Sequence, residues 1–251
     1  CIRDRNGRVS KEDVKNYVKS SMSLPSDQRV IGDKPEFEEF DFSKFGSVNE
    51  QSLTRIQKQV AKNMARNWKA IPHVTQHDDI DVTDLETFRK EMEPTLGKLS
   101  AVAFIVKAVT IALKDFPQLN ASLKNDGETF VLKEYIHIGL AVNVKDGLLV
   151  PVIKNADQKG LRELSYEISR LADGARDGAL SFQDFSGSSF TVSSLGKLGG
   201  TGFSPIINHP EVAILGVGRS SDRLMMSEGG VSNRKILPLS LSYDHRVING
   251  V

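Results

Sequence analysis

The sequence predicts a mixed α/β or α+β domain built on one large sheet. Three observations predict it. Apolar runs with the period of strands are interleaved with runs that have the period of helices, but without a regular strand–helix–strand rhythm. No glycine-rich turn has the spacing of a phosphate or dinucleotide loop. With 251 residues, 39% hydrophobic and 26% charged, the chain can bury a substantial core as one large domain with an appendage. A net charge of +1 gives no general pull toward nucleic acid or membrane. No run of about 18 apolar residues, the length of a membrane span, is present, and the N-terminus has no signal-peptide apolar region. The one cysteine, Cys1, leaves no internal disulfide, no cysteine nucleophile in the body of the domain and no cysteine-rich zinc site. It is compatible with a reducing cytoplasm.

Residues 1–20 read as a small basic unit. Asn6-Gly7 is a turn, Ser10 to Asp13 has the form of a capping box, and a helix follows to about Ser20. Residues 21–41, with Pro25, Gly32 and Pro35 and no periodicity, read as a linker. Helix signals return after Ser47, where Ile56, Val60, Met64 and Trp68 recur every fourth residue. Pro72 stops that helix. Val74 to Val82 alternates as a strand does, and Thr83-Asp84-Leu85-Glu86 has the form of a second capping box before a helix to about Met92. Ala101 to Leu113 is apolar nearly all round and reads as a buried helix. Asn125-Asp126-Gly127 marks a hairpin. Ile136–Val144 and Leu148–Ile153 read as two strands around the turn Lys145-Asp146-Gly147, and Leu161 to Asp177 as an amphipathic helix. Phe190 to Gly196 is a short strand running into a glycine-rich loop, Ala213 to Gly218 a buried strand, and Arg219 to Asn233 a surface loop or hairpin.

The chemistry gathers at two strand ends. Ile236 to Tyr243 reads as a buried or half-buried strand that delivers Asp244, His245 and Arg246. A histidine at the end of a rigid strand is a good mounting for a general base, and its ordinary pKa of about 6.5 suits the task. Read alone, His245 can equally cap the strand, and Ser193 can bond its own backbone. His73 and His77 have the i, i+4 spacing of a metal pair on a helix, but Pro72 and the β-branched neighbours make the chain extended, so no metal site is expected.

The string Asp244-His245-Arg246-Val247-Ile248-Asn249-Gly250 resembles the His-x-x-x-Asp-Gly signature of the dihydrolipoamide acyltransferases, the E2 components of 2-oxo-acid dehydrogenase complexes. Asn249 stands where the common pattern has Asp. Chloramphenicol acetyltransferase shares a related signature. Phe190-Thr191-Val192-Ser193-Ser194-Leu195-Gly196 resembles the E2 string Phe-Thr-[Ile/Val]-Ser-x-Leu-Gly. Ile71-Pro72-His73-Val74-Thr75 and Pro210-Glu211-Val212-Ala213 are among further segments that look like E2 chains. The set is more similar to acetyl-transferring members of bacterial pyruvate complexes than to succinyl-transferring ones.

The resemblance implies a chloramphenicol-acetyltransferase-like two-layer fold with a large mixed sheet over 42–251, assembled as homotrimers, eight of which form a cubic 24-mer. It implies an active-site channel between subunits, with His245 and Asn249 from one and Ser193 from its neighbour. His245 would deprotonate a thiol, Ser193 would stabilise the oxyanion, and Arg89 would lie near a coenzyme A phosphate. Coenzyme A is then a substrate, and lipoamide comes on an upstream lipoyl domain not in this chain. Gly7 to Val14 resembles the last part of the peripheral subunit-binding domain, which docks the E1 and E3 enzymes. Family members also continue into a final helix beyond residue 251. The competing readings are an E2-like scaffold without turnover, a succinyl-specific enzyme, and a chloramphenicol-type acetyltransferase acting on a hydroxyl.

Overall fold

The computed structural model describes residues 40–97, 99–196, 199–227 and 230–250, together with 11, 12 and 15. Those last three are helical, in keeping with the helix expected near Ser10; the rest of that helix and 21–39 of the expected linker lie outside the described residues. The chain divides into two compact units, Cys1–Gln51 and Ser52–Val251. Within the first, Asp41 caps a single 3-10 turn, Phe42–Lys44, and the Phe40 ring stacks on Phe45 at 5.6 Å.

The described residues of the second unit hold four α-helices and ten strands. The helices are α1 (Arg55–Ala70), α2 (Thr83–Leu96), α3 (Ala101–Asp115) and α4 (Leu161–Asp177). The strands are β1 (His73–Asp81), β2 (Ala121–Leu123), β3 (Phe130–Leu132), β4 (Ile138–Val144), β5 (Gly147–Leu149), β6 (Val152–Ile153), β7 (Phe190–Ser194), β8 (Ala213–Val217), β9 (Ser221–Ser227) and β10 (Gly230–Asp244). Eight strands make one sheet in the order β1-β10-β8-β7-β4-β5, with β6 on β4 and β9 on β10; β2 and β3 form a separate hairpin. Among the described residues only β4–β7 and β7–β8 are parallel pairs. The sheet is therefore mixed, as the irregular order of elements predicts.

The core lies on one face, where α3 and α4 cover the centre of the sheet. Val106 and Leu113 of α3 and Leu164 and Leu171 of α4 meet Ile138 of β4 and Val192 of β7. Each is almost fully removed from water, and burying a side chain of this size is worth about 1.5–3 kcal/mol. Helix α4 begins and ends where its periodicity predicts, and Gly178 closes it in the left-handed conformation, φ 67°.

The opposite face is made of small and polar side chains. Cross-strand partners point the same way, so the register puts Thr191, Ile214, Ser242 and Thr75 in one row and Ser193, Gly216, Ser240 and His77 in the next. Thr75 and Ser242 share a hydroxyl hydrogen bond at 2.7 Å, and His77 Nδ1 bonds Ser240 Oγ at 2.8 Å. The irregular segment 199–212 runs over this face. Phe203 sits on Gly216 so closely that a Cβ there would come within 2.8 Å of the ring.

Three local expectations are corrected. Thr83 is not an N-cap: Asp81 accepts its N–H and hydroxyl, at 2.9 and 2.6 Å, and α2 runs on to Leu96 through Pro94. The capping box lies instead at Thr54, which exchanges bonds with Gln57 at the start of α1. The apolar stripe of α1 is covered only in its middle: Val60 and Met64 are half-buried, Ile56 and Trp68 at its ends are exposed, and Asn67 is the residue buried. The strand expected over 148–153 is two short ones, β5 and β6, because Pro151 between them has no N–H to give the ladder.

Candidate active site

Strand β10 is held on both sides, by β1 and by β8, up to Tyr243 and Asp244. There the chain turns, with Val247 and Ile248 N–H both donating to Asp244 O at 3.0 Å. His245 is the first residue of that turn, and it is exposed. Its N–H donates to Pro72 O at 3.0 Å, and the N–H of Asp244 donates to Val212 O at 2.8 Å. The buried Asp244 carboxylate accepts from Arg246 N at 3.0 Å and from the Arg246 guanidinium at 2.7–3.2 Å, which locks the turn. Among the described residues no hydrogen bond to the His245 imidazole is seen, and its ring lies 6.1 Å from that of Tyr243. Asn249, four residues on, is also exposed.

Ser193 lies elsewhere. It pairs with Gly216, which pairs with Ser240, five residues short of His245. At a rise of about 3.3 Å per residue and a strand spacing of about 4.8 Å, the two groups are on the order of 15–20 Å apart within one chain. No thioester carbonyl reaches both. Ser194 points to the helix face and lines a groove of about 300 Å³ with Glu86, Val102, Gly196 and Arg219. Arg89 stands behind this groove, part-buried, its guanidinium bound to Glu86 at 2.9 Å and to Leu99 O at 3.2 Å. The Glu86 hydrogen bond raises the Arg89 pKa further, so the guanidinium stays charged.

Glu211 is a feature that no sequence pattern marks. It follows the cis peptide His209–Pro210 in the segment that ends at Val212. It is 2% exposed, and neither carboxylate oxygen has a hydrogen-bond partner among the described residues. Burial pushes its carboxyl up from 4.5 to about 7; the nearby Thr191 and Ser188 hydroxyls, the Lys133 ammonium and the Asn208 side chain only moderate the rise. Burial also lowers the Lys133 pKa, and the nearby Glu211 carboxyl opposes that fall. Between pH 4.5 and 7 the folded chain keeps a proton that the unfolded chain gives up, so stability falls as pH rises through that window. The loss reaches roughly 3 kcal/mol above it. Glu211→Gln is therefore expected to match the wild type near pH 4.5 and to exceed it in denaturant unfolding at pH 8. Parallel stability curves for the two proteins would disprove the assignment.

A histidine just past the end of β10 and a serine near the end of β7 thus stand on one mixed sheet. Residues 45–251 match the family model of 2-oxoacid dehydrogenases acyltransferase (catalytic domain). The chain is 48% identical, over 97% of its length, to the dihydrolipoyllysine-residue acetyltransferase component of the pyruvate dehydrogenase complex of Cupriavidus necator. It covers 46% of that relative, and so spans about half the length of the curated relatives it matches. Among solved structures it is similar to the Azotobacter vinelandii dihydrolipoamide acetyltransferase (E2p), at 44% identity and a TM-score of 0.84, covering 86% of this chain and 91% of that one. For that enzyme a serine, a histidine and an asparagine have been investigated in the catalytic mechanism. It is equally similar, at 45% identity and a TM-score of 0.84 with the same coverage, to the cubic core of the pyruvate dehydrogenase multienzyme complex. The chain belongs to the 2-oxoacid dehydrogenase acyltransferase family, in the part that forms the catalytic domain.

Proposed function

We propose that this domain transfers an acetyl group between coenzyme A and dihydrolipoamide, as the catalytic core of a pyruvate dehydrogenase complex. The observation that carries the reading is that Ser193, His245 and Asn249 occur in the same order, and at the same separations along the chain, as the three residues investigated in the Azotobacter enzyme. In this reading His245 takes the proton of the attacking thiol, because the thiolate is the nucleophile. The thiolate adds to the thioester carbonyl. Ser193 donates its hydroxyl to the oxyanion that forms. The intermediate collapses, the carbon–sulfur bond of the old thioester breaks, and the departing thiolate takes the proton back from the imidazolium. Asn249 puts a neutral amide four residues after the base. Arg89 is the cation offered to a coenzyme A phosphate, which would have to compete with Glu86. Lipoamide would arrive on a separate lipoyl domain, and E1 and E3 would dock outside the catalytic domain.

The distance between Ser193 and His245 in one chain supports a site completed by a second copy, His245 and Asn249 from one subunit and Ser193 from the next. Trimers, and their assembly into a 24-subunit cube, are the proposed state. The test is an assay of thioester formation from acetyl-CoA and free dihydrolipoamide, with succinyl-CoA alongside. Wild-type protein is expected to transfer acetyl and to prefer it to succinyl. Inactive His245→Ala and Ser193→Ala proteins, dissociated together and reassociated, are expected to recover about a quarter of wild-type activity by random assortment of subunits. No recovery in reassembled mixtures, or a fully active monomer in sedimentation, would refute the shared site; transfer of succinyl alone would refute the substrate.

A further inference from the structure

We propose that His73 is a positioning residue for His245. The inference rests on His245 being the base. It starts from the two bonds of the His73 ring. Nε2 lies 2.9 Å from the N–H of Ile207, which can only donate, so Nε2 is the acceptor and carries no proton. The proton is then on Nδ1, which donates to Ile71 O at 2.8 Å. Both nitrogens are engaged inside the protein, and the ring is held as one neutral tautomer.

The two segments that this ring joins are the two that hold His245. Residues 71–73 supply Pro72 O to the N–H of His245. The segment 207–212 supplies Val212 O to the N–H of Asp244. Ile207 is fully buried, and its O accepts from the Asn67 side chain at 3.1 Å on the end of α1. Without His73 the Ile207 N–H loses the partner it has here, and an unpaired buried N–H costs about 1–3 kcal/mol, enough to drive a local rearrangement. The Ile71, Ile207 and Ile214 side chains pack together around this joint, so a shift there is shared by both segments. Pro72 is bonded to His73 and also accepts from His245, so the base moves with it. Displacement of a catalytic group by about 1 Å can cost about 10²-fold in rate.

Two near-isosteric variants separate this role from a general loss of structure. In His73→Asn the side chain keeps a donor near the Nδ1 position and cannot reach Ile207. In His73→Gln a carbonyl oxygen reaches the Nε2 position and can accept the Ile207 N–H. H73N is expected to lower kcat by about ten- to a hundredfold, with KM for acetyl-CoA changed less than about threefold. H73Q is expected to recover most of the rate. Added to His245→Ala, H73N should cause no further loss, because it acts through His245. Wild-type kcat in H73N, equal loss in H73Q and H73N, or full additivity with His245→Ala would each overturn the inference. If His245→Ala itself turns over normally, it is the assignment of the base that has failed.

Discussion

His245→Ala is expected to lower kcat for acetyl transfer by about 10²–10⁴, the range that loss of a general base produces. The fold should not change. His245 is exposed, and its bond to the protein is made by its backbone N–H to Pro72 O, which alanine keeps. The thermal midpoint and the assembly state are therefore expected to match the wild type. The defect should lie in kcat and kcat/KM together, with KM for acetyl-CoA nearly constant, because the imidazole is needed for proton transfer rather than for holding the pantetheine arm. Turnover like the wild type in a folded His245→Ala protein would remove the base from the mechanism.

Ser193→Ala carries the second large effect. The thioester oxygen gains most of its negative charge on the way to the tetrahedral intermediate, so a hydroxyl aimed at it favours the transition state over bound acetyl-CoA. The variant is expected to lose roughly 10²–10³ in kcat, about 2.7–4 kcal/mol, with little change in KM. Ser194→Ala is the control. Ser194 points to the other face of β7, into the groove between α2, α3 and β8, and its loss should be mild. A KM effect at constant kcat in Ser193→Ala, or a larger loss in Ser194→Ala, would show that the donor has been placed on the wrong side of the strand.

The parts of this fold that were legible in the sequence are those set by local physics. Helix α4 spans the residues its apolar period marks, and the Asn125-Asp126-Gly127 turn closes the β2–β3 hairpin, with Gly127 at φ 72°. Strand β8 is apolar throughout because both of its faces are covered. The arm formed by β9 and the start of β10 was hard to read beyond a surface hairpin. Leu224, Met226 and Val231 are all exposed there, so alternation has no inside and outside to report. The separation of Ser193 from His245 was implied by the family resemblance, but no local pattern of residues shows it. It depends on β10 lying beside β8 and β8 beside β7, which brings together residues 190–194, 213–217 and 236–244. Glu211 and His73 were hidden for a related reason. A glutamate after His209-Pro210 and a histidine after Pro72 look like surface residues until the segments that cover them are known.

The placing of serine and histidine at opposite ends of interior strands of one sheet makes turnover and quaternary structure a single trait in the proposed mechanism. A substitution far from either group, which does no more than weaken the contact between neighbours, would then be scored in an activity assay as a catalytic defect. Dilution of the intact protein would imitate an inhibitor, and the dose of each subunit in a mixed population would matter more than the integrity of any one chain.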